Sequence, residues 1–585
     1  MTPGVFVKWT FLGGVAGAVS ATAACLFLLL LGWAEHFFLD FLAGAPPPYP
    51  AGERPLLPTT GNPFRPLVFM ILPALGGLVS GLLSQFACPE VAGPGTDAMI
   101  KAFHKEEGIV RGRLPFLKAI ASIATLATNG SAGRQGPLIH VGAGLGSLLA
   151  QIIRLGPKDR RVLLLAGASG ALAAVFRAPV GAAIIVTELL YHDDIEAEAL
   201  IPCVISSIVG HTIHQLLWGH EPIFSLPEFQ LTMGLGELLW FCLLGLIMVP
   251  LGRLYITVYG WFRDSFFAPM PVPFFLKPVI GGALTGVLGL FVPQALGIGY
   301  GWLQKAIAGD LSMELMALCG FMKILSTSFS VGSGGSGGIF APSLFIGGMI
   351  GGAMGDLGHL LKPDVILDPR PFVLVGMGGF FAGVAHAPIG SILMVCEMTG
   401  GYSLLLPLLA VATVHCLLNR TRSIYGSQVR NRFLSPAHEG ELVVNLLGRI
   451  KVAEALPQRR KAIIFTEDMT LKAIRNVIVE GEGTDFPVVD SKGHLKGILC
   501  FDKVRRVLME DTLEDLLVAG ELVEKPVWVH PDEDLYSALC KFVDTGYEQL
   551  PVLSKGPDGE ILGSLWHKDL IEAYHSKLAG LRSGQ

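Results

Sequence analysis

The chain has 585 residues, 51% of them hydrophobic and 16% charged, with a mean hydropathy of +0.56. Soluble domains average about 25% charged residues, so a purely soluble protein is excluded, as are collagen-like and disordered chains. The net charge of -5 offers no basic footprint, and no nucleic-acid partner is expected.

Of the 91 charged residues, 43 fall in residues 437–585. That is roughly 11% charge in the body against roughly 29% in the tail, as expected of a membrane part followed by a soluble one. The nine cysteines form no CxxC pair and read as small hydrophobes, so neither a disulfide framework nor a metal site is expected.

In chain order, the uncharged run 9–34 predicts a retained first membrane helix, being too long for a signal-peptide core. Runs 66–89, 199–220, 278–304 and 398–419 are long enough to span a bilayer. Runs 119–133, 162–176 and 178–187 are too short, and several are broken by Gly-Pro or Ala-Pro. Broken helices survive at membrane depth only when buried in protein or lining a wet cavity, which predicts a pore or transport site.

The body repeats itself. At an offset of 205, Lys118 matches Lys323, Gly133 matches Gly338 and Pro137 matches Pro342; at 209, Ala178-Pro179 matches Ala387-Pro388 and Glu188 matches Glu397. Duplicated halves with breaks in corresponding places predict a transporter-type fold whose site lies where the halves meet.

Three glycine-rich turns precede helices: Gly93-Pro94-Gly95-Thr96, Gly133 to Pro137, and Gly338 to Pro342. Each exposes unpaired N–H groups and the positive end of a helix dipole, and converging N-termini make an anion site. A cation path would want carboxylates, and this body is poor in candidate carboxylates outside Glu188 and Glu397. No HExxH motif occurs, and no enzyme and no catalytic residue are expected.

At these residues the chain resembles the CLC family of anion channels and transporters. GRQGPLIH (133–140) is similar to the family's second signature, normally G-K/R-E-G-P; GGIFAP (337–342) to its third; AGPGTD (92–97) to its first, normally G-S-G-I-P; and SIYGS (423–427) to its central-tyrosine segment. The resemblance implies an all-α polytopic membrane protein of two inverted repeats of tilted and broken helices, over residues 1–434, with repeats at about 66–220 and 272–419. It further implies a homodimer in a lipid bilayer with one anion pathway per subunit. The amides of Ile339 and Phe340 and the hydroxyl of Tyr425 would hold a central anion. The amides from Arg134 to Gly136 would face an outer site, and Gly93, Pro94, Gly95 and Thr96 would line the pathway.

Three departures bear on mechanism. Gln135 stands where the family carries its gating glutamate, and an amide has no titratable proton. Leu189 stands where proton exchangers carry an inner glutamate; Glu188, one residue earlier and about 100° round the helix, is the candidate substitute, with a structural role as the alternative. Pro94 replaces the serine of chloride-type members, as in members similar to plant nitrate transporters, so chloride and nitrate both stay open. Arg134 is placed either at the outer entrance or on a solvated flank, His140 in packing, and Lys118 and Lys323 either raising the local potential or pairing with helix ends.

The tail repeats a strand–turn–strand pattern at 486–499 and 550–565. It resembles a small α/β cytosolic module of paired CBS motifs: a linker at 435–446, motif 1 at 447–512 and motif 2 at 513–585. Such modules, a common appendage in the family, can bind adenine nucleotides. Asp569 fits the ribose-contacting aspartate, but Trp566, three places before it, stands in place of the family's Thr/Ser, and Lys503 replaces the aspartate of motif 1. Arg422, Arg430 and Arg432 follow the last apolar run, predicting a cytoplasmic exit, both termini cytoplasmic and an inner or plasma membrane location. The reading is a chloride and/or nitrate channel or proton-uncoupled carrier, regulated by its CBS module and requiring no cofactor. A proton–anion antiporter using Glu188, and a nucleotide-sensing membrane protein, are the alternatives.

Overall fold

The computed structural model describes residues 3–227, 229, 234–438, 446–456, 462–480, 484–501, 504–505, 517–556 and 558–583. The chain divides into two compact units, residues 1–437 and 438–585.

The first unit is helical. Its first half comprises α1 (Pro3–Glu35, prolonged by a π-helical turn over His36–Leu42), α2 (Pro66–Leu82), α3 (Gly95–Lys105), α4 (Leu114–Ala127), α5 (Gln135–Ile152), α6 (Pro157–Phe176), α7 (Pro179–Glu188) and α8 (Ala197–Trp218). The long α9 (Leu235–Trp261) leads to α10 (Leu276–Phe291), α11 (Tyr300–Ala308), α12 (Met313–Ser330), α13 (Phe340–Leu361), α14 (Pro371–Ala385), α15 (Pro388–Thr399) and α16 (Leu405–Leu418). Among the described residues, five helical stretches are long and apolar enough to cross a membrane: Pro3–Leu42, Pro66–Ala87, Ala197–Trp218, Leu235–Phe267 and Phe340–Leu361. Two of the four runs read as long enough to span are interrupted instead. Residues 278–304 break after Phe291, where Pro293 opens a 3₁₀ turn and Gly297 and Gly299 take left-handed φ of 59° and 91°. Residues 398–419 break at Gly400, at φ 68°. Glycine alone takes that region without steric cost, so each break is local chemistry that a hydropathy count overlooks.

The two halves meet about an internal two-fold relation visible in equivalent residues. Gly133 N donates to Gly338 O and Gly338 N to Gly133 O, both at 2.7 Å, an antiparallel bridge between repeat partners. Glu188 accepts from the N–H groups of Ile389 and Gly390, at 3.1 and 2.8 Å; Glu397 accepts from Val180 and Gly181, at 3.1 and 2.7 Å. Each carboxylate thus caps the N-terminus of the other's helix, where four donors lack intrahelical partners. Arg177 and His386, both at φ 54°, end α6 and α14 in the same left-handed turn before Ala-Pro. These reciprocal contacts are those of antiparallel, inverted repeats.

One face of this unit carries the start of α1, joined to the start of α6 by the Lys8–Asp159 ion pair at 2.5 Å, together with residue 437, whose carbonyl accepts from Arg161 Nη1 at 3.2 Å. The ends of α1, α6 and α8 therefore lie on the opposite face. Ser435 is buried and hydrogen-bonds His104 Nδ1 at 2.7 Å, and residues 435–437, at the start of the linker expected at 435–446, belong to the first unit. Backbone polar groups there find partners inside the unit, which a boundary drawn from composition overlooks. Residues 439–445 lie outside the described residues.

The second unit holds two small sheets. Strands β1 (Phe465–Thr466), β2 (Asp485–Val489) and β3 (Leu495–Cys500) are ordered β1-β2-β3; β4 (Gln549–Leu553) pairs antiparallel with β5 (Ile561–Trp566). Helices Leu471–Glu480, Leu535–Thr545 and His567–Ser583 flank them. The predicted strand–turn–strand repeats occur, but their cores exchange segments. Leu447, Ile450 and Val452, drawn into motif 1 by sequence, pack with Val529, Leu535 and Leu565; Ala519, drawn into motif 2, packs with Phe465 and Phe486. Each core takes in a segment from the opening of the other motif, which sequence similarity between motifs does not reveal. Lys503 lies outside the described residues.

Candidate functional site

The three glycine-rich turns open α3, α5 and α13, and these N-termini converge. A Cβ on Gly136 would lie 2.8 Å from Gly338 Cα, and one on Gly95 would lie 2.4 Å from Gly136 O. Only hydrogen at these positions lets the three helix starts come so close. Gly93, at φ 65°, and Pro94 precede α3, whose first residues are Gly95 and Thr96; Arg134 precedes α5, which opens on Gln135 and Gly136; Ile339 precedes α13, which opens on Phe340. Every glycine-rich turn singled out in the sequence thus supplies first-turn N–H groups to one region, with about half a positive charge at each helix start.

The buried lysines secure one of these turns and the turn before α11. Lys118 Nζ donates to the carbonyls of Val91 and Gly93, at 2.8 and 2.7 Å, ahead of α3. Lys323 Nζ donates to Gly297 O at 2.7 Å, ahead of α11. Both carbonyl clusters point at an ammonium group, so each lysine fixes the turn that leads into the next helix.

Tyr425 reaches the site on a segment that returns beneath the helices. Ile424 N donates to Val384 O at 2.9 Å, and Gln428 Nε2 to Leu189 O and Ala385 O, each at 2.9 Å. Asp97, where the family has proline, accepts from Ser427 N and Oγ at 2.8 and 3.1 Å. The departure at the first signature therefore ties α3 to the tyrosine segment. The Tyr425 ring is 1% exposed, and its hydroxyl lacks a partner at ordinary hydrogen-bond geometry, with Thr96 as its side-chain neighbour. Tyr255 and Tyr259, on α9, are buried beside it with unpartnered hydroxyls. Sequence reading missed both, although their i, i+4 spacing puts them on one helix face.

Gln135 is fully buried. Its Nε2 donates to the Tyr300 hydroxyl at 2.5 Å, and its Oε1 has no partner. Tyr300, at the first position of α11, is a second residue the sequence did not flag. Arg134 is 6% exposed, its guanidinium paired with Glu53 and 5.5 Å from the Tyr300 ring centre. A solvated flank is thus excluded for Arg134. His140 is buried in α5, its Nδ1 without a partner. Leu189 is fully buried at the end of α7, while Glu188 is committed to Ile389 and Gly390, as described. In the second unit, Asp569 is buried, and a carboxylate oxygen accepts from Trp566 N at 2.9 Å, holding the start of the last helix.

Residues 76–420 match the profile described as voltage gated chloride channel. The chain belongs to the CLC family. Residues 519–576 match the CBS domain. A putative chloride channel protein, ClcB-like, of Ralstonia nicotianae is 30% identical over 344 residues, covering 58% of this chain and 80% of that one. The H+/Cl- exchange transporter ClcA of Vibrio campbellii is 32% identical over 336 residues, covering 56% and 71%. Among solved structures, a slow cyanobacterial Cl-/H+ antiporter superposes with a TM-score of 0.62 at 24% identity, over 73% of this chain and 97% of that one. A CLC-type fluoride/proton antiporter gives 0.62 at 19% identity, over 74% and 100%. These likenesses carry the fold: a CLC membrane unit of inverted repeats of broken helices, followed by a CBS module. Members of the family are anion channels and transporters rather than enzymes.

Proposed function

We propose that this CLC protein carries small inorganic anions, chloride or nitrate, across a membrane without moving protons in exchange. The observation that carries the reading is Gln135, an amide buried where three helix N-termini meet. A glutamate there could take up and release a proton; an amide cannot. Leu189 offers no second proton site, and Glu188 supplies a structural cap. Helix-end dipoles and hydroxyls attract an anion without the full charge that would trap it, which suits passage over storage. Gly93, Pro94, Gly95, Thr96, Arg134 to Gly136, Ile339, Phe340 and Tyr425 would line the pathway. Pro94 donates no hydrogen bond, which supports nitrate beside chloride.

The second reading, proton–anion exchange, is favoured by one observation: relatives such as ClcA of Vibrio campbellii are H+/Cl- exchangers. Purified protein in liposomes distinguishes the two. With an imposed anion gradient, internal pH should stay unchanged while anion enters; proton movement against its own gradient, driven by the anion, would establish exchange.

The unit at 1–434 would assemble as a homodimer in an inner or plasma membrane, with both ends of the chain in the cytosol. The CBS module would regulate transport. With Asp569 turned to its own helix start and Trp566 in place of a hydroxyl residue, nucleotide regulation is the weaker form of that role. Titration of the full chain with ATP, read by calorimetry, should give no saturable heat; saturable binding would support the nucleotide-sensing alternative.

A further inference from the structure

A second polar region lies on the face opposite residue 437. There a cavity of about 580 Å³ is lined by the end of α1, the 43–65 connection, the end of α6 and the end of α8, including Glu35, Glu53, Arg134, Arg177, His214 and Glu221. Its donors are unusual for buried groups. Arg134 Nε, Arg177 Nε and both ring nitrogens of His214 are buried with no hydrogen-bond partner. Arg134 and His214 are 6% and 3% exposed. Arg177 donates from Nη1 to Glu221 O at 2.5 Å, leaving its Nε–H toward no protein acceptor. Buried donors of this kind ordinarily find a partner, so a site that gathers several of them is built for an acceptor the chain only partly supplies.

For Arg134 the chain supplies an acceptor of its own, Glu53. Its carboxylate pairs with Arg134, the residue directly before Gln135. Beside Glu53, Gly52 N is held by Ile223 O at 3.1 Å, which anchors this part of the connection over the cavity. At the rim, Arg54 and Glu221 form a loose pair at 3.8 Å, with side chains 85% and 64% exposed, so the cavity opens to solvent there. Formal charges balance: Arg54, Arg134 and Arg177 against Glu35, Glu53 and Glu221.

We propose that this cavity is an anion-binding site for a small inorganic anion, with Arg134, Arg177 and His214 as donors and the Glu53 carboxylate as its resident, tethered occupant. A free anion arriving from this face takes the place of Glu53 on Arg134 and so arrives next to Gln135. The proposal rests on the anion-transport reading for the choice of anion, but its test reads binding rather than transport. Neutralising Glu53 removes the carboxylate paired with a buried guanidinium and leaves the cavity one positive charge in excess, which a mobile anion then balances.

The experiment is thermal unfolding of the full chain in detergent, in chloride or nitrate against gluconate at constant ionic strength. Glu53→Ala and Glu53→Gln should give a midpoint that climbs with anion concentration several-fold more steeply than wild type does, because a ligand bound only by the folded state stabilises it by mass action. Adding Arg134→Ala to Glu53→Ala should return the slope to that of wild type. A Glu53 variant that folds in high chloride but not in gluconate is the same result at its limit. Slopes equal to wild type in both variants, or failure to fold in either salt, would overturn the proposal. Neither result depends on whether the liposome assay shows proton-free transport.

Discussion

Gln135 and Tyr300 form the pair on which the mechanism turns. The glutamine amide is held at one end by the tyrosine hydroxyl, and its other end faces converging helix starts with no protein partner. Oxygen and nitrogen of an amide exchange places by a half-turn, and the Tyr300 hydroxyl can either accept from Nε2 or donate to Oε1. With the amide turned, Nε2 would face an arriving anion while Tyr300 stays bonded. Tyr300→Phe removes this pivot and leaves a buried amide group unpaired, at a cost of about 1–3 kcal/mol; anion flux in liposomes should fall, and the thermal midpoint should drop. Gln135→Glu puts a titratable group at the same place. Flux through that variant should become pH-dependent, rising as pH falls and the carboxyl takes up its proton, where wild-type flux stays flat. A flat profile in Gln135→Glu would remove position 135 from the pathway.

At the scale of elements, the reciprocal caps are the clearest test of the repeat. Glu397→Ala exposes the start of α7, and Glu188→Ala that of α15. Loss of a helix-capping side chain costs about 0.5–2 kcal/mol, and each variant should lose about that much stability by denaturant unfolding in detergent. Glu188→Gln should leave proton flux at its wild-type zero, since the residue serves a helix rather than a proton path. Much of this was legible in the residues. The offsets of 205 and 209 paired Gly133 with Gly338 and Glu188 with Glu397, and those partners touch one another or serve equivalent roles. The Gly-Pro and Ala-Pro turns marked where helices begin, because a missing N–H or Cβ acts locally. What the sequence withheld depends on distant contacts. Nothing near Glu53 in the chain says that it meets Arg134, 81 residues on. Tyr255, Tyr259 and Tyr300 stand in apolar runs like any packing aromatic until the fold brings their hydroxyls to the site. The interruption of 278–304 and the exchanged CBS segments were hidden for related reasons: one lies in the backbone angles of two glycines, the other in pairing between segments far apart.

At the scale of the whole molecule, the charge-poor body and charge-rich tail correspond to a CLC membrane unit and a CBS module. In the proposed account the body binds with helix ends and hydroxyls, while Glu188 and Glu397 cap helices and Glu53 pairs with Arg134. A protein built this way has fold and family in common with proton exchangers but lacks titratable side chains at positions 135 and 189. Nitrate should replace chloride in flux without large loss, because helix-end N–H groups donate to either anion; a strong preference for chloride would count against the role given to Pro94. The account stands most directly on one measurement. Purified protein in liposomes, given an inward anion gradient with internal anion and internal pH recorded together, should show anion entry with no accompanying proton movement. Protons driven against their own gradient by the entering anion would contradict it.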